Sequence, residues 1–196
     1  MFVPPFGPHA AADVVTLRDA RADEAAAIAG VIGAAFSGTP HGGRLEQRFV
    51  DALRADGQLA VSLVAERDDR IIGHVAFSPV AIGRAAIGPA GSSAAGSSAA
   101  GTHAGWYALA PLSVRPECRR QSIGAGLVRT GLDALRRLGA RGCVVLGEPA
   151  YYARFGFDAA ASLVFPSAPA PCLLALSFEE ALPPAGEVRY HDAFYG

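Results

Sequence analysis

Val114-Arg115-Pro116-Glu117-Cys118-Arg119-Arg120-Gln121-Ser122-Ile123-Gly124-Ala125-Gly126 decides which fold this chain adopts. An apolar run of strand character, residues 106–114, leads into it. A helix over residues 123–138 follows, with Ile123, Leu127, Val128, Leu132, Leu135 and Leu138 recurring on one face until Gly139 stops it. The first amides of a helix have no partner inside it, and the macrodipole puts positive potential there, so the loop-to-helix turn is built to hold an anion. Gly124 and Gly126 let a ligand approach the backbone without a Cβ in the way. Arg119 and Arg120 can add charge-assisted bonds to phosphate oxygens. The physical reading is a pyrophosphate cradle. Ser122 is strained there if its position demands a positive φ; if only smallness is required, its hydroxyl can face phosphate.

Working outward, residues 14–17 are β-branched and read as a first strand. Asp23 and Glu24 open a helix carrying Ile28, Val31, Ile32 and Phe36, which Gly38-Thr39-Pro40-His41-Gly42-Gly43 ends. Leu45, Phe49, Ala52 and Leu53 mark a second amphipathic helix. Residues 59–66 and 71–80 form a hairpin across the polar turn Arg67-Asp68-Asp69-Arg70. Residues 142–146 are a short buried strand, residues 149–155 a short helix with Pro149 in its first turn, and residues 173–178 a late strand. Gly91-Ser92-Ser93-Ala94-Ala95 repeats at once as Gly96-Ser97-Ser98-Ala99-Ala100. With no large side chain to bury, residues 83–105 are expected to be a flexible insertion. The expected organisation is an N-terminal extension over 1–13, one domain over 14–180 and a C-terminal tail over 181–196.

Two motifs at this separation resemble the GNAT acyltransferases. Arg119-Arg120-Gln121-Ser122-Ile123-Gly124 is similar to that family's acetyl-CoA signature, Gln/Arg-x-x-Gly-x-Gly/Ala, with Ser122 in place of the first glycine. Tyr151-Tyr152-Ala153-Arg154-Phe155-Gly156-Phe157 resembles its second motif, a tyrosine four residues before Gly-Phe. The resemblance implies an α/β (α+β) fold with a mixed, mostly antiparallel sheet flanked by helices. It implies an N-acetyltransferase that moves acetyl from acetyl-CoA to a primary amine of a small molecule or peptide, by direct attack in a ternary complex. It also implies that Leu112, Ser113 and Val114, on the strand before the signature, hold pantetheine and the thioester carbonyl. Arg119, Arg120, Gln121, Ser122, Ile123, Gly124, Ala125 and Gly126 would hold the diphosphate, and Tyr152 would be the general acid. No general base stands out. Glu148 reads as an acidic N-cap, His74 as a hydrogen-bonded strand histidine, and His41 and Glu46 as a solvated helix face near the acceptor region. Cys118 lies beside arginines but has no paired histidine for covalent chemistry.

Composition narrows the alternatives. The chain has 196 residues, 51% hydrophobic and 18% charged, with 17 basic and 18 acidic residues. That balance argues against a dedicated nucleic-acid or polybasic membrane binder, and no apolar run is long enough to cross a bilayer. All basic residues are arginine, so Schiff-base chemistry and a Walker lysine are excluded. Cys118, Cys143 and Cys172 form no C-x-x-C pair, which disfavours a metal site or disulfide framework and suits the cytoplasm. Residues 1–9 show no secretory pattern. A homodimer is compatible with the sequence. Two rivals remain: a non-catalytic acyl-CoA sensor on the same fold, and a dinucleotide-binding oxidoreductase. The latter would place its glycines after the first strand, where this chain has none.

Overall fold

The computed structural model describes residues 14–83, 103–166, 172–180 and 182–195. The Gly/Ser/Ala repeat and the N-terminal extension lie outside the described residues. Strands β1 (Thr16–Asp19), β2 (Val61–Arg67), β3 (Arg70–Gly83), β4 (His103–Val114), β5 (Gly142–Leu146), β6 (Asp158–Ala159), β7 (Leu163–Val164), β8 (Leu173–Ser177) and β9 (Gly186–Arg189) form one sheet. Its main path runs β1-β2-β3-β4-β5-β8-β6, with β9 joining β3 to β7. Pairing is antiparallel except between β4 and β5 and between β7 and β9. The helices are α1 (Ala25–Ala35), α2 (Arg44–Ala55), α3 (Ile123–Arg137) and the single turn α4 (Pro149–Tyr152). This is the mixed, mostly antiparallel α/β architecture expected above.

The alternation of strand side chains divides the core into two layers. Val75 and Phe77 of β3 join Leu127, Val128, Leu132 and Leu135 of α3. Ala76, between them, joins Ile28, Val31 and Ile32 of α1 on the other face. Gly131 shows how closely α3 is seated, because a Cβ there would lie 2.1 Å from the Phe77 ring. Each fully buried leucine or valine of α3 contributes about 1.5–3 kcal/mol, so this helix is fixed by packing rather than propensity.

Two sequence boundaries move. The expected insertion over 83–105 loses its ends to the sheet, since β3 runs through Gly83 and β4 starts at His103. The expected tail over 181–196 is structural: Gly83, Ile82 and Ala81 pair with Glu187, Val188 and Arg189, and Val188 is fully buried. Backbone pairing, which apolar patterning does not report, holds this segment.

At the centre of the sheet His74 is fully buried. Its Nε2 lies 3.0 Å from Ser62 Oγ, while Nδ1 has no partner among the described residues. Burial, reinforced by the nearby positive charge of Arg54, pulls its pKa from 6.5 down to about 3. Below pH 6.5 the unfolded chain takes up a proton that the folded chain refuses, so His74 makes stability fall as pH drops from about 6.5 towards about 3. Urea unfolding at pH 7 and pH 5 should show wild type losing about 2 kcal/mol more than His74→Gln over that interval. Equal losses would remove His74 from the acid response.

Candidate active site

Strands β4 and β5 pair from Trp106↔Gly142 to Leu109↔Val145, where their ladder ends; β5 stops at Leu146 and β4 runs on to Val114 with an edge that β5 leaves unpaired. The cause lies on the other edge of β4. Leu109 pairs with Phe77 and Leu112 with Val75, so Ala110 and Pro111 stand opposite the single residue Ala76. This bulge turns β4 away from β5, and Pro111 has no amide hydrogen to extend the ladder. Beyond the bulge, the Arg115 amide donates to Ile72 O at 2.9 Å. Amides alternate sides along a strand, so that of Ser113 faces β3 while those of Leu112 and Val114 face the opened edge. The Ser113 side chain is buried.

The turn into α3 forms the next part. Arg120 and Ser122 both have φ of 62°, in the left-handed region, so the strain anticipated for a serine in this loop is present. The first amide used inside α3 is that of Gly126, which donates to Ser122 O at 2.9 Å. The amides of Ile123, Gly124 and Ala125 therefore have no helical partner. They border a cavity of about 480 Å³ lined also by Val114, Arg119, Arg120, Tyr151 and Arg154. A Cβ on Gly124 would lie 3.0 Å from Tyr151 Oη and 3.5 Å from Val114 Cγ2, so that glycine keeps the passage narrow but open.

Three of the expected cradle residues make contacts within the fold. Gly126 is not in the cradle: its amide closes the first helical bond, and its Cα faces β1, where a Cβ would meet Leu17 Cδ1 at 3.0 Å. Arg119 donates from Nη2 to Ala35 O at 2.6 Å, tying the loop to the carbonyl end of α1. Gln121 Oε1 accepts from Arg67 Nη2 at 2.7 Å. Arg154, which the sequence reading left out, lies in the cradle wall with its guanidinium 4.8 Å from the Tyr151 ring centre. The i, i+3 spacing of Tyr151 and Arg154 on one helical face was the available signal.

The adjacent tyrosines divide. Tyr151 is half-buried against the cradle. Tyr152 is buried, its ring packed on Gly147 just past β5, so that a Cβ on Gly147 would lie 2.3 Å from Cε2. This places the Tyr152 ring beside the parting of β4 and β5. Desolvation pushes its phenol well above the ordinary tyrosine value, so it stays protonated at any physiological pH. Cys118 is buried in the core behind the cradle. Glu148 is exposed, and its side chain makes no capping bond to α4. A second cavity, about 370 Å³, meets β4 at Ala110 and Pro111 and is bordered by Glu46; His41 does not line it.

The sequence profile of the Acetyltransferase (GNAT) family matches residues 34–157. This chain belongs to the GNAT acetyltransferase family. The uncharacterized N-acetyltransferase YhbS of Escherichia coli K12 is 39% identical over 117 residues, 59% of this chain and 60% of its own. The chain thus spans about 60% of the length of the curated relative it matches. A GNAT family acetyltransferase from Brucella melitensis, solved in complex with acetyl-CoA, is 40% identical, with a TM-score of 0.75 over 93% of this chain and 99% of the other. The YhbS structure in complex with CoA superposes with a TM-score of 0.78 over the whole of this chain and 97% of its own, at 28% identity. The GNAT assignment accounts for both sequence motifs.

A non-glycine residue in the left-handed region costs about 1–2 kcal/mol. Ser122→Gly should therefore stabilise the protein by about 1 kcal/mol and raise Tm by about 2–4 °C. A thermal unfolding scan checks this. An unchanged or lower Tm would mean that the serine hydroxyl makes a compensating bond.

Proposed function

We propose that the chain is an N-acetyltransferase that moves an acetyl group from acetyl-CoA to a primary amine of a small molecule or peptide, by direct attack in a ternary complex. One observation carries the reading: the amides of Ile123, Gly124 and Ala125 have no helical partner among the described residues, and these residues border a cavity shared with Arg120 and Arg154, next to the edge of β4 that β5 leaves unpaired. Unpaired donors on a helix terminus with two guanidiniums suit a diphosphate. The narrow gap beside Gly124 suits a thin chain such as pantetheine. The acetyl-CoA and CoA complexes of the Brucella melitensis protein and YhbS support the same cosubstrate.

Each residue then has a task. Ile123, Gly124 and Ala125 bind phosphate oxygens through their amides, with Arg120 and Arg154 neutralising charge. Arg119, Gln121 and Ser122 hold the loop in shape. The amides of Leu112 and Val114 are turned towards the carbonyl position, and Ser113 holds β4 against β3. Acetyl-CoA supplies an activated thioester. An N–C bond forms as the C–S bond breaks, and the proton given up by the neutral amine ends on sulfur. Tyr152 gives its phenolic proton to that sulfur and regains the proton that the amine loses, so the net transfer is from nitrogen to sulfur. Its pKa is high, but the same dry surroundings that raise a phenol also raise a thiol, which keeps the transfer feasible. The free cysteines Cys118, Cys143 and Cys172 fit work in the cytoplasm. Among the described residues no helix is long and apolar enough to cross a membrane.

Tyr152→Phe should lower kcat by about ten-fold or more, because proton transfer of this kind contributes roughly 100-fold to 10,000-fold. Its calorimetric Kd for acetyl-CoA should stay within about two-fold of wild type. Unchanged kcat would remove Tyr152 from the mechanism, and acetyl-CoA binding without turnover of any amine would favour the sensor. Arg154→Ala should weaken acetyl-CoA by about ten-fold, in line with loss of a charge-assisted phosphate contact. An unchanged Kd would place Arg154 outside the cradle.

A further inference from the structure

Resting on the acyl-transfer reading, we infer that the second cavity is the acceptor site and takes a compact, singly charged amine carried on an aromatic or apolar body, with Glu46 receiving the ammonium. The cavity, about 370 Å³, is small for a ligand site. It borders β4 at Ala110 and Pro111, the two bulge residues that turn this strand from β5. It therefore meets β4 beside the end of the ladder to β5. The cradle is bordered by Val114, three residues further along β4, or about 10 Å at strand rise.

Its walls are apolar and held in place. Phe49 of α2 meets Phe194 edge-on at 5.3 Å between ring centres, and Tyr190 stacks on Phe194 at 4.3 Å. An aromatic wall fixed on two sides offers a flat body a preformed contact at little entropic cost. Into this apolar space comes one carboxylate. Glu46 borders the cavity and is half-buried, and its Oε2, closed off from solvent, has no hydrogen-bond partner among the described residues. A carboxylate at the border of an apolar cavity attracts a ligand ammonium, and ring faces attract the same cation. Arg48, also on this cavity, is exposed and faces a second positive charge unfavourably, which disfavours polyamines. In the first turn of α2, Glu46 also favours the helix dipole, so its role in binding must be separated from its role in the fold.

The test uses 2-phenylethylamine and spermidine as acceptors, thiol release as the readout, and wild type, Glu46→Gln and Phe194→Leu as enzymes. Calorimetry of 2-phenylethylamine into the CoA-bound protein gives binding without turnover. Wild type should show kcat/KM at least ten-fold higher for 2-phenylethylamine than for spermidine. Glu46→Gln should raise KM and calorimetric Kd for that amine at least ten-fold, with Kd for acetyl-CoA unchanged. Phe194→Leu should weaken the amine by a smaller factor, about three-fold to ten-fold. Preference for spermidine, or unchanged amine affinity in Glu46→Gln, would overturn this inference and leave acyl transfer standing. Wild type that fails to bind acetyl-CoA would overturn both.

Discussion

The parting of β4 from β5 is the constraint on which the rest of the molecule depends. Two parallel strands are bonded from Trp106 to Leu109, and β4 then runs on to Val114 while β5 ends at Leu146. Here Ala110 and Pro111 occupy the space of one residue opposite β3, and the ladder to β5 stops. A sheet opened in its interior leaves amides unpaired where no solvent-facing edge would be, and an unpaired buried amide is costly. The amides of Leu112 and Val114, the cradle at α3, the Tyr152 ring on Gly147 and the aromatic cavity at Ala110 and Pro111 all border this opening. The two core layers hold it open: α3 is locked on one face by Phe77 against Gly131, and α1 packs on the other.

The cradle shows how the protein maintains a strained loop. Arg120 and Ser122 both adopt left-handed backbone conformations without the freedom of glycine. The surrounding contacts hold them there. Arg119 bonds the end of α1, Gln121 accepts from Arg67, and Gly126 starts the helical ladder of α3. These are scaffold roles, and they leave Arg120 and Arg154 as the cations on the cradle wall free of such ties. Strain concentrated in one loop and supported by its neighbours is how a preformed turn is kept in shape.

Much of this was legible from residue order alone. The leucine face of α3 and the apolar run 142–146, closed by glycines on both sides, set their elements to within a residue, since periodicity and punctuation agree there. The left-handed turn and the cavity at the start of α3 lie where the sequence clusters arginines and small residues. Other features left weak signals. Strand β9 buries Val188 alone, and Pro183 and Pro184 precede it, so it resembled a tail until its backbone bonds to β3 were seen. The bulge leaves no apolar irregularity, only a proline in a strand. Gly126 misled because a glycine needed for helix-to-strand packing looks the same in sequence as one needed for a phosphate. Glu46 looked like a solvated helix residue because nothing nearby in sequence announces the aromatic C-terminal turn, Asp192–Phe194, that comes to rest against α2.

The central claim is that unpartnered amides at the start of α3 grip the diphosphate of coenzyme A. Backbone amide chemical shifts, followed by NMR while CoA is titrated into the uniformly labelled protein, test it residue by residue. The account predicts that Ile123, Gly124 and Ala125 move furthest and downfield, with Leu112 and Val114 following, while Gly126 moves little. Saturable CoA binding that leaves those first three amides unmoved would contradict it.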